Sequence, residues 1–275
     1  MVLTDEYEAL TAGLTDYLRT APENRVAPAA AIRPELAGMP LFTDPLFAVG
    51  NAADPLYLGL KSPEAVHPEH LSPTEWLPEA RTVIAVFFPL TEQIRMSNRN
   101  GQAASDEWRH GKFEGQDFIK QFTAELVRRL EAAGHRALSP ELDPRFRMIT
   151  PLVPNWSLRH NAYICGLGTF GLSKSLITAA GCAGRLASIV TDAPFPVTVR
   201  PYRDRYAYCI RCGKCARNCP AHAIDPAAPA DRAKDHVKCQ VQINSFKQPV
   251  TAGGRTITRN GCGKCQTDVP CMSRI

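Results

Sequence analysis

The sequence predicts an α+β domain over residues 1–200, followed by a bacterial ferredoxin-like domain for two [4Fe–4S] clusters over residues 201–275. Three observations predict it. Apolar residues recur at helical spacing in two long segments and run unbroken in two short β-branched ones, the mixture an α+β core needs. Eight of the ten cysteines fall after residue 208. Charge divides at the same place: residues 201–275 hold 13 Lys+Arg against 5 Asp+Glu, a formal +8, whereas residues 1–200 carry −3.

Composition narrows the class. With 275 residues, 44% hydrophobic and 21% charged, the chain reads as soluble and globular, one sizeable domain with an appendage. No run approaches the roughly 18 apolar residues of a membrane span. The opening "MVLTDEYEAL" has neither a basic n-region nor an apolar h-region, so a cytoplasmic protein is expected. In that reducing compartment, clustered cysteines argue for metal ligation rather than disulfides.

Leu3, Tyr7, Leu10, Leu14 and Leu18 form one apolar stripe and predict a first helix. Residues 21–75 are proline-rich and loop-like, with "LFAVGNA" as a short strand. "SPTEWLPEA" starts a helix, with Ser72 as N-cap, Pro73 at the first position and Glu75 completing a capping box. "TVIAVFFPL" (82–90) predicts a buried strand. From Gln116 to Ala133 runs an amphipathic helix, with Phe118, Phe122, Leu126 and Leu130 on one face and Gly134 just past its end. "RLASIVTD" (185–192) predicts a second buried strand. No internal repeat appears.

"GLGTFG" (166–171) matches the G-x-G-x-x-G of dinucleotide loops, but that motif works only after a strand and at the start of a helix. Here "NWSLRHNAYIC" precedes it, with Leu158, Ala162 and Cys165 at helical spacing and Ser157 as N-cap. A helix before the glycines is the wrong context, and the loop is expected to serve another ligand.

"YCIRCGKCARNCP" sets Cys209, Cys212, Cys215 and Cys219 in the C-x₂-C-x₂-C-x₃-C-P run of bacterial ferredoxins, whose fourth cysteine ligates the other cluster. Three thiolates two residues apart wrap one face of a cubane, and the small Gly213 and Ala216 let the backbone approach it. A structural zinc site would need only four close ligands and would not require the C-x₃-C-P ending. The second set, Cys239, Cys262, Cys265 and Cys271, has a long insertion after its first member. Ferredoxin-style exchange then assigns Cys209, Cys212, Cys215 and Cys271 to one cluster, and Cys219, Cys239, Cys262 and Cys265 to the other. Cys271 departs from the usual short spacing. Cys165 and Cys182 are expected as small buried apolar side chains. The basic tail offsets the anionic clusters or forms a landing surface for an acidic partner.

"EWLPEARTVIAVFFPL", the long helix, "AYICGLGTFGLSKSLIT", "GRLASIVTD" and the two cysteine sets together resemble the epoxyqueuosine reductase family, whose core the reductive dehalogenases share. The resemblance runs from about residue 40 onward. It implies that residues 1–200 form a nitroreductase-like, corrinoid-type domain beside the clusters, with the glycine loop approaching a flat macrocycle, here cobalamin. Two departures stand out. The acid of the family's D-S-A-P segment falls on Leu152 in "PLVPNWS". No HEAT-like extension, which helps some members grip tRNA, has a counterpart, so tRNA as a partner is implied by the resemblance without support from the chain itself.

The site predicted from these residues has Asp143, the nearest upstream acid, with His160 and Tyr163 as catalytic groups. Gly166, Gly168, Gly171 and Lys174 are its cofactor-binding residues. Arg159 flanks the loop as an anion-binding candidate, "WRH" (Trp108, Arg109, His110) is a second compact cluster, and Arg200, Arg203 and Arg205 are placed to tune cluster potential. The function expected is a reductase passing single electrons from a low-potential ferredoxin or flavodoxin, through two clusters, to a corrinoid and a small-molecule or nucleoside substrate, away from any membrane. An electron carrier without a substrate is the alternative, and a flavin in the same pocket a third reading. Gly168→Ala is expected to spare the fold and weaken cofactor binding.

Overall fold

A computed structural model describes residues 3–252 and 254–275. The chain begins with helix α1 (Leu3–Thr20) and strands β1 (Leu46–Asn51) and β2 (Thr82–Pro89). Helices α2 (Asp106–Lys112) and α3 (Glu114–Ala132), strand β3 (Ala137–Leu138) and helix α4 (Leu158–Cys165) follow. Three strands complete the core: β4 (Gly168–Phe170), β5 (Leu176–Thr178) and β6 (Gly184–Thr191). The central sheet runs β1-β2-β6-β3 with every pairing antiparallel, which excludes the parallel crossover unit a dinucleotide loop requires.

All eight residues of β2 are buried, because helices cover both faces of the sheet. Ile84, Val86 and Phe88 point into a layer with Leu14 and Leu18 of α1 and Phe118, Phe122, Leu126 and Leu130 of α3. Val83, Ala85 and Phe87 point the other way, against Trp156 and the Ala162, Ile164 and Cys165 face of α4. A strand buried on both sides loses the polar alternation of a surface strand, hence the unbroken apolar run. The stripe expected for α3 is therefore core-facing, and that of α1 is so from Tyr7 to Leu18, while Leu3 is exposed. The Ser72 start also forms: a single turn, Pro73–Trp76, follows it, and the Glu75 carboxylate accepts from the Ser72 amide at 2.7 Å.

The cysteine-rich part docks on the β4–β5 hairpin and on the turns beside α2. Thr169 Oγ1 accepts from Tyr208 N at 2.9 Å, and Phe170 N donates to Arg205 O at 2.7 Å. Gln266 donates to Ser175 Oγ at 2.8 Å. The buried Lys264 ammonium donates to the Asn98 and Asn100 carbonyls at 2.8 and 2.7 Å. The insertion between Cys239 and Cys262 is structured: helix α5 (His236–Ser245), which carries Cys239, and the hairpin of β7 (Gln248–Ala252) and β8 (Arg255–Arg259). Among the described residues no helix is long and apolar enough to cross a membrane.

Candidate functional site

A cavity of about 1310 Å³ opens between the sheet domain and the cysteine-rich part. That exceeds the roughly 300–1,000 Å³ usual for small-ligand pockets. α4 and the β4–β5 hairpin line it with Arg159, His160, Tyr163, Phe170 and Leu176, and the cysteine-rich part lines it with Cys219, Cys239, Cys262 and Cys265. Glu141, Leu152, Gln116 and Arg185 line the same space.

The glycine loop does different work from that expected. Gly166 has φ +100° and ends α4 in the left-handed conformation that a glycine adopts at no steric cost. Gly168 is in β4 and is a close-approach position: a Cβ there would sit 2.0 Å from the Ile177 carbonyl oxygen. Gly171 closes the hairpin, its N donating to Ser175 O at 2.9 Å. None of the three lines the cavity among the described residues. Gly166 ends α4, and Gly168 and Gly171 shape the hairpin whose side chains reach the cavity. Lys174, with φ 61°, does line it, but its ammonium is committed to Tyr206 OH at 2.7 Å and to the Ala230 and Asp231 carbonyls. It ties the hairpin turn to the cysteine-rich part.

His160 and Tyr163 both reach the cavity. Burial, reinforced by His70, Arg159 and other cations, pulls His160 down to about 3, so its imidazole is neutral near pH 7. Its Nδ1 pairs with the Ser157 hydroxyl at 2.7 Å, and that hydroxyl makes no cap bond to α4. Tyr163 donates to Arg203 O at 3.3 Å and stacks on Tyr202. Arg159 is exposed where it projects into the cavity, and the surrounding desolvation lowers its pKa against the opposing pull of Cys265 and Cys239.

Asp143 is not at the site. Both of its oxygens accept from the Arg145 guanidinium at 2.9 Å, which holds its carboxyl below the usual range. The acid that faces the cavity is Glu141, one position into the 3₁₀ turn Pro140–Leu142. Burial pushes it up to about 7, with Arg185 and Lys120 opposing. Sequence reasoning missed it because a tight turn sends residues two apart in different directions. Leu152 is an apolar part of the same wall.

"WRH" separates into structural parts. Trp108 lines the cavity, Arg109 pairs with Asp106 at 2.6 Å, and the fully buried His110 lies between Ile32 N and Glu114 Oε2. Cys165 is buried as expected and pushed up to about 12 by burial, an inert thiol.

The late cysteines crowd one another, and Cys265 stands beside members of both assigned sets. Cys215 is pushed up to about 12 by burial and by Cys265, Cys209, Cys271 and Cys212 around it. Cys262 is pushed up to about 11 by burial and then, among thiols, by Cys265, Cys219 and Cys239. Such crowding keeps the thiols protonated until iron takes the protons' place. Among the described residues no three His, Cys, Asp or Glu side chains converge tightly enough for a single metal ion. Between the ligands of the first run, Arg211 (φ 53°) and Gly213 (φ 69°) turn the backbone left-handed, and the Lys214–Arg217 turn follows.

The fold and the cysteine run define a 4Fe–4S protein built on an α+β core: residues 204–225 match the 4Fe–4S binding domain family. The fold is that of epoxyqueuosine reductases. The enzyme of Bacillus subtilis matches at TM-score 0.56 and 16% identity, over 98% of this chain and 67% of its own. An epoxyqueuosine reductase in complex with a tRNA-Tyr epoxyqueuosine-modified stem loop matches at 0.54 and 17%, with the same coverage. The Streptococcus thermophilus enzyme matches at 0.53 and 14%, over 82% of this chain and 62% of its own. No curated protein sequence matches this chain.

Proposed function

We propose that this chain is an iron–sulfur oxidoreductase that passes single electrons through two [4Fe–4S] clusters to a corrinoid-type cofactor or substrate, in the manner of epoxyqueuosine reductases. The observation that carries the reading is the cavity itself, lined both by Cys219, Cys239, Cys262 and Cys265 and by α4 and its hairpin. An electron carrier has no use for a chamber of that size facing its cluster. Cys209, Cys212, Cys215 and Cys271 hold the outer cluster, and Cys219, Cys239, Cys262 and Cys265 the one facing the cavity. Cys212 is exposed, beside the exposed Ile210 and within the basic segment, which suits entry of electrons from an acidic ferredoxin or flavodoxin.

The residues present fit a large flat ligand: Phe170, Leu176, Leu186 and Trp156 offer apolar walls, and Arg159, exposed to the cavity, offers a cation to an anionic group. When bound, a corrinoid supplies a low-valent metal centre for attack on an electrophilic carbon or for one-electron bond cleavage. Around it the apolar walls exclude water, neutral His160 and Tyr163 contribute hydrogen bonds, and Glu141 holds a proton near neutral pH. The substrate class follows from the resemblance: a nucleoside or another small electrophile, with tRNA as a candidate carrier of it.

Two experiments test this reading. Anaerobic purification with cobalamin, followed by metal analysis and optical spectra, is expected to yield cobalt bound with the iron; no cobalt in either oxidation state removes the corrinoid, and a flavin spectrum in fresh protein replaces it. Iron analysis is expected to give about eight iron per chain. Cys212→Ser and Cys265→Ser should each leave about half, because they disable different clusters. A folded single variant that keeps all its iron, or loses all of it, undoes the ligand partition.

A further inference from the structure

Cys182 lies outside both cysteine sets, in the turn between β5 and β6, where the sequence predicts a buried apolar side chain. It is buried, 2% exposed, in a small cluster with Ile177 and Val269 against which Cys209, Cys215 and Cys271 also pack. Its backbone is laced to the segment carrying Cys271, with Cys182 N donating to Cys271 O at 2.8 Å and Ala183 N to Met272 O at 3.2 Å. The two sulfurs stand 3.8 Å apart. A tetrahedral metal–thiolate centre with bonds of about 2.3 Å sets two of its sulfurs about 3.8 Å apart. At that separation a single iron position lies within bonding reach of either sulfur. A cubane iron, already bonded to three sulfides, has room for only one of them.

We propose that Cys182 is a second, interchangeable ligand for the cluster corner assigned to Cys271, a fifth thiol contributed by the α+β domain. The proposal rests on the two-cluster reading above. Exchange breaks one iron–thiolate bond and forms another: the arriving Cys182 gives up its proton and the departing Cys271 takes one, so charge and oxidation state are unchanged. The irregular spacing of Cys271 fits this arrangement, since a corner served by two thiols tolerates a ligand held on a short C-terminal turn, Pro270–Met272.

The test is iron and acid-labile sulfide content after anaerobic cluster reconstitution, with low-temperature EPR of the reduced protein. The parent, Cys182→Ala and Cys271→Ala are each expected to hold about eight iron, and the double variant about four. The Cys271→Ala EPR signal should shift from the parent's while keeping its intensity, as a changed ligand arm requires. A folded Cys271→Ala that drops to about four iron overturns the proposal, since Cys182 then does not reach the corner. A double variant holding about eight overturns it too, because neither thiol is then a ligand. Serine variants, close in size to cysteine, carry the same expectations if an alanine variant fails to fold. A parent that holds only about four iron refutes the two-cluster reading itself, a failure visible before any variant is made.

Discussion

Replacing Glu141 with glutamine is expected to remove a fall in stability between about pH 4.5 and 7, and to lower turnover of any proton-requiring substrate by on the order of 100-fold or more. In the folded chain Glu141 is raised from 4.5 to about 7, chiefly by burial. Between those two values the folded state binds more protons than the unfolded one, so stability declines as pH rises through the window and stays lower above it. A carboxyl whose pKa rises by one on folding costs about 1.4 kcal/mol above the window, so the wild-type chain should lose on the order of 1–3 kcal/mol across it. The glutamine variant, which does not ionise, should lack that decline. Melting curves of both proteins from pH 4 to pH 9, on the order of one per half unit, read it directly; parallel profiles would mean that Glu141 titrates normally and is no proton reservoir. Asp143→Asn is the control: its carboxylate is held ionised by Arg145, away from the cavity, and turnover should not change.

Gly168→Ala is expected to lower the melting temperature by several degrees, the opposite of what its place in a ligand-like glycine motif suggests. The added methyl would lie 2.0 Å from Ile177 O and 2.8 Å from Ile177 C, backbone atoms of the strand paired with β4. Backbone cannot rotate aside as a side chain does, so the hairpin must open. Overpacking of this kind costs about 1–3 kcal/mol, and a chain of this size loses roughly 2–4 °C per kcal/mol. Because the β4–β5 hairpin also carries Phe170 and Leu176 into the cavity, cofactor affinity should fall with stability. A variant with an unchanged melting temperature and selectively lost cofactor binding would return the glycine to the ligand-contact role.

The comparison of these two residues shows where sequence reading ends. The glycines were legible as glycines with a purpose, but G-x-G-x-x-G does not say which backbone each one approaches. Ile177 comes within reach of Gly168 only once the hairpin closes. The same holds for acids: Asp143 and Glu141 are two residues apart and chemically alike, and only the 3₁₀ turn decides that one pairs with Arg145 while the other faces the cavity. Cys182 and Cys271 are 89 residues apart, and no spacing rule joins them.

By itself the sequence determined what nearest neighbours control. Helical stripes on α1 and α3, the unbroken apolar run of β2, the cap at Ser72 and the ferredoxin cysteine run are local patterns, written at periods of two to four residues. The helix legible before the glycines, α4, supplies Arg159, His160 and Tyr163 to the cavity. The tertiary structure alone decided which acid enters the cavity, which glycine touches backbone, and which thiols are neighbours. Those outcomes depend on how separate elements dock, and docking is set by burial and shape complementarity summed over many residues distant in the chain.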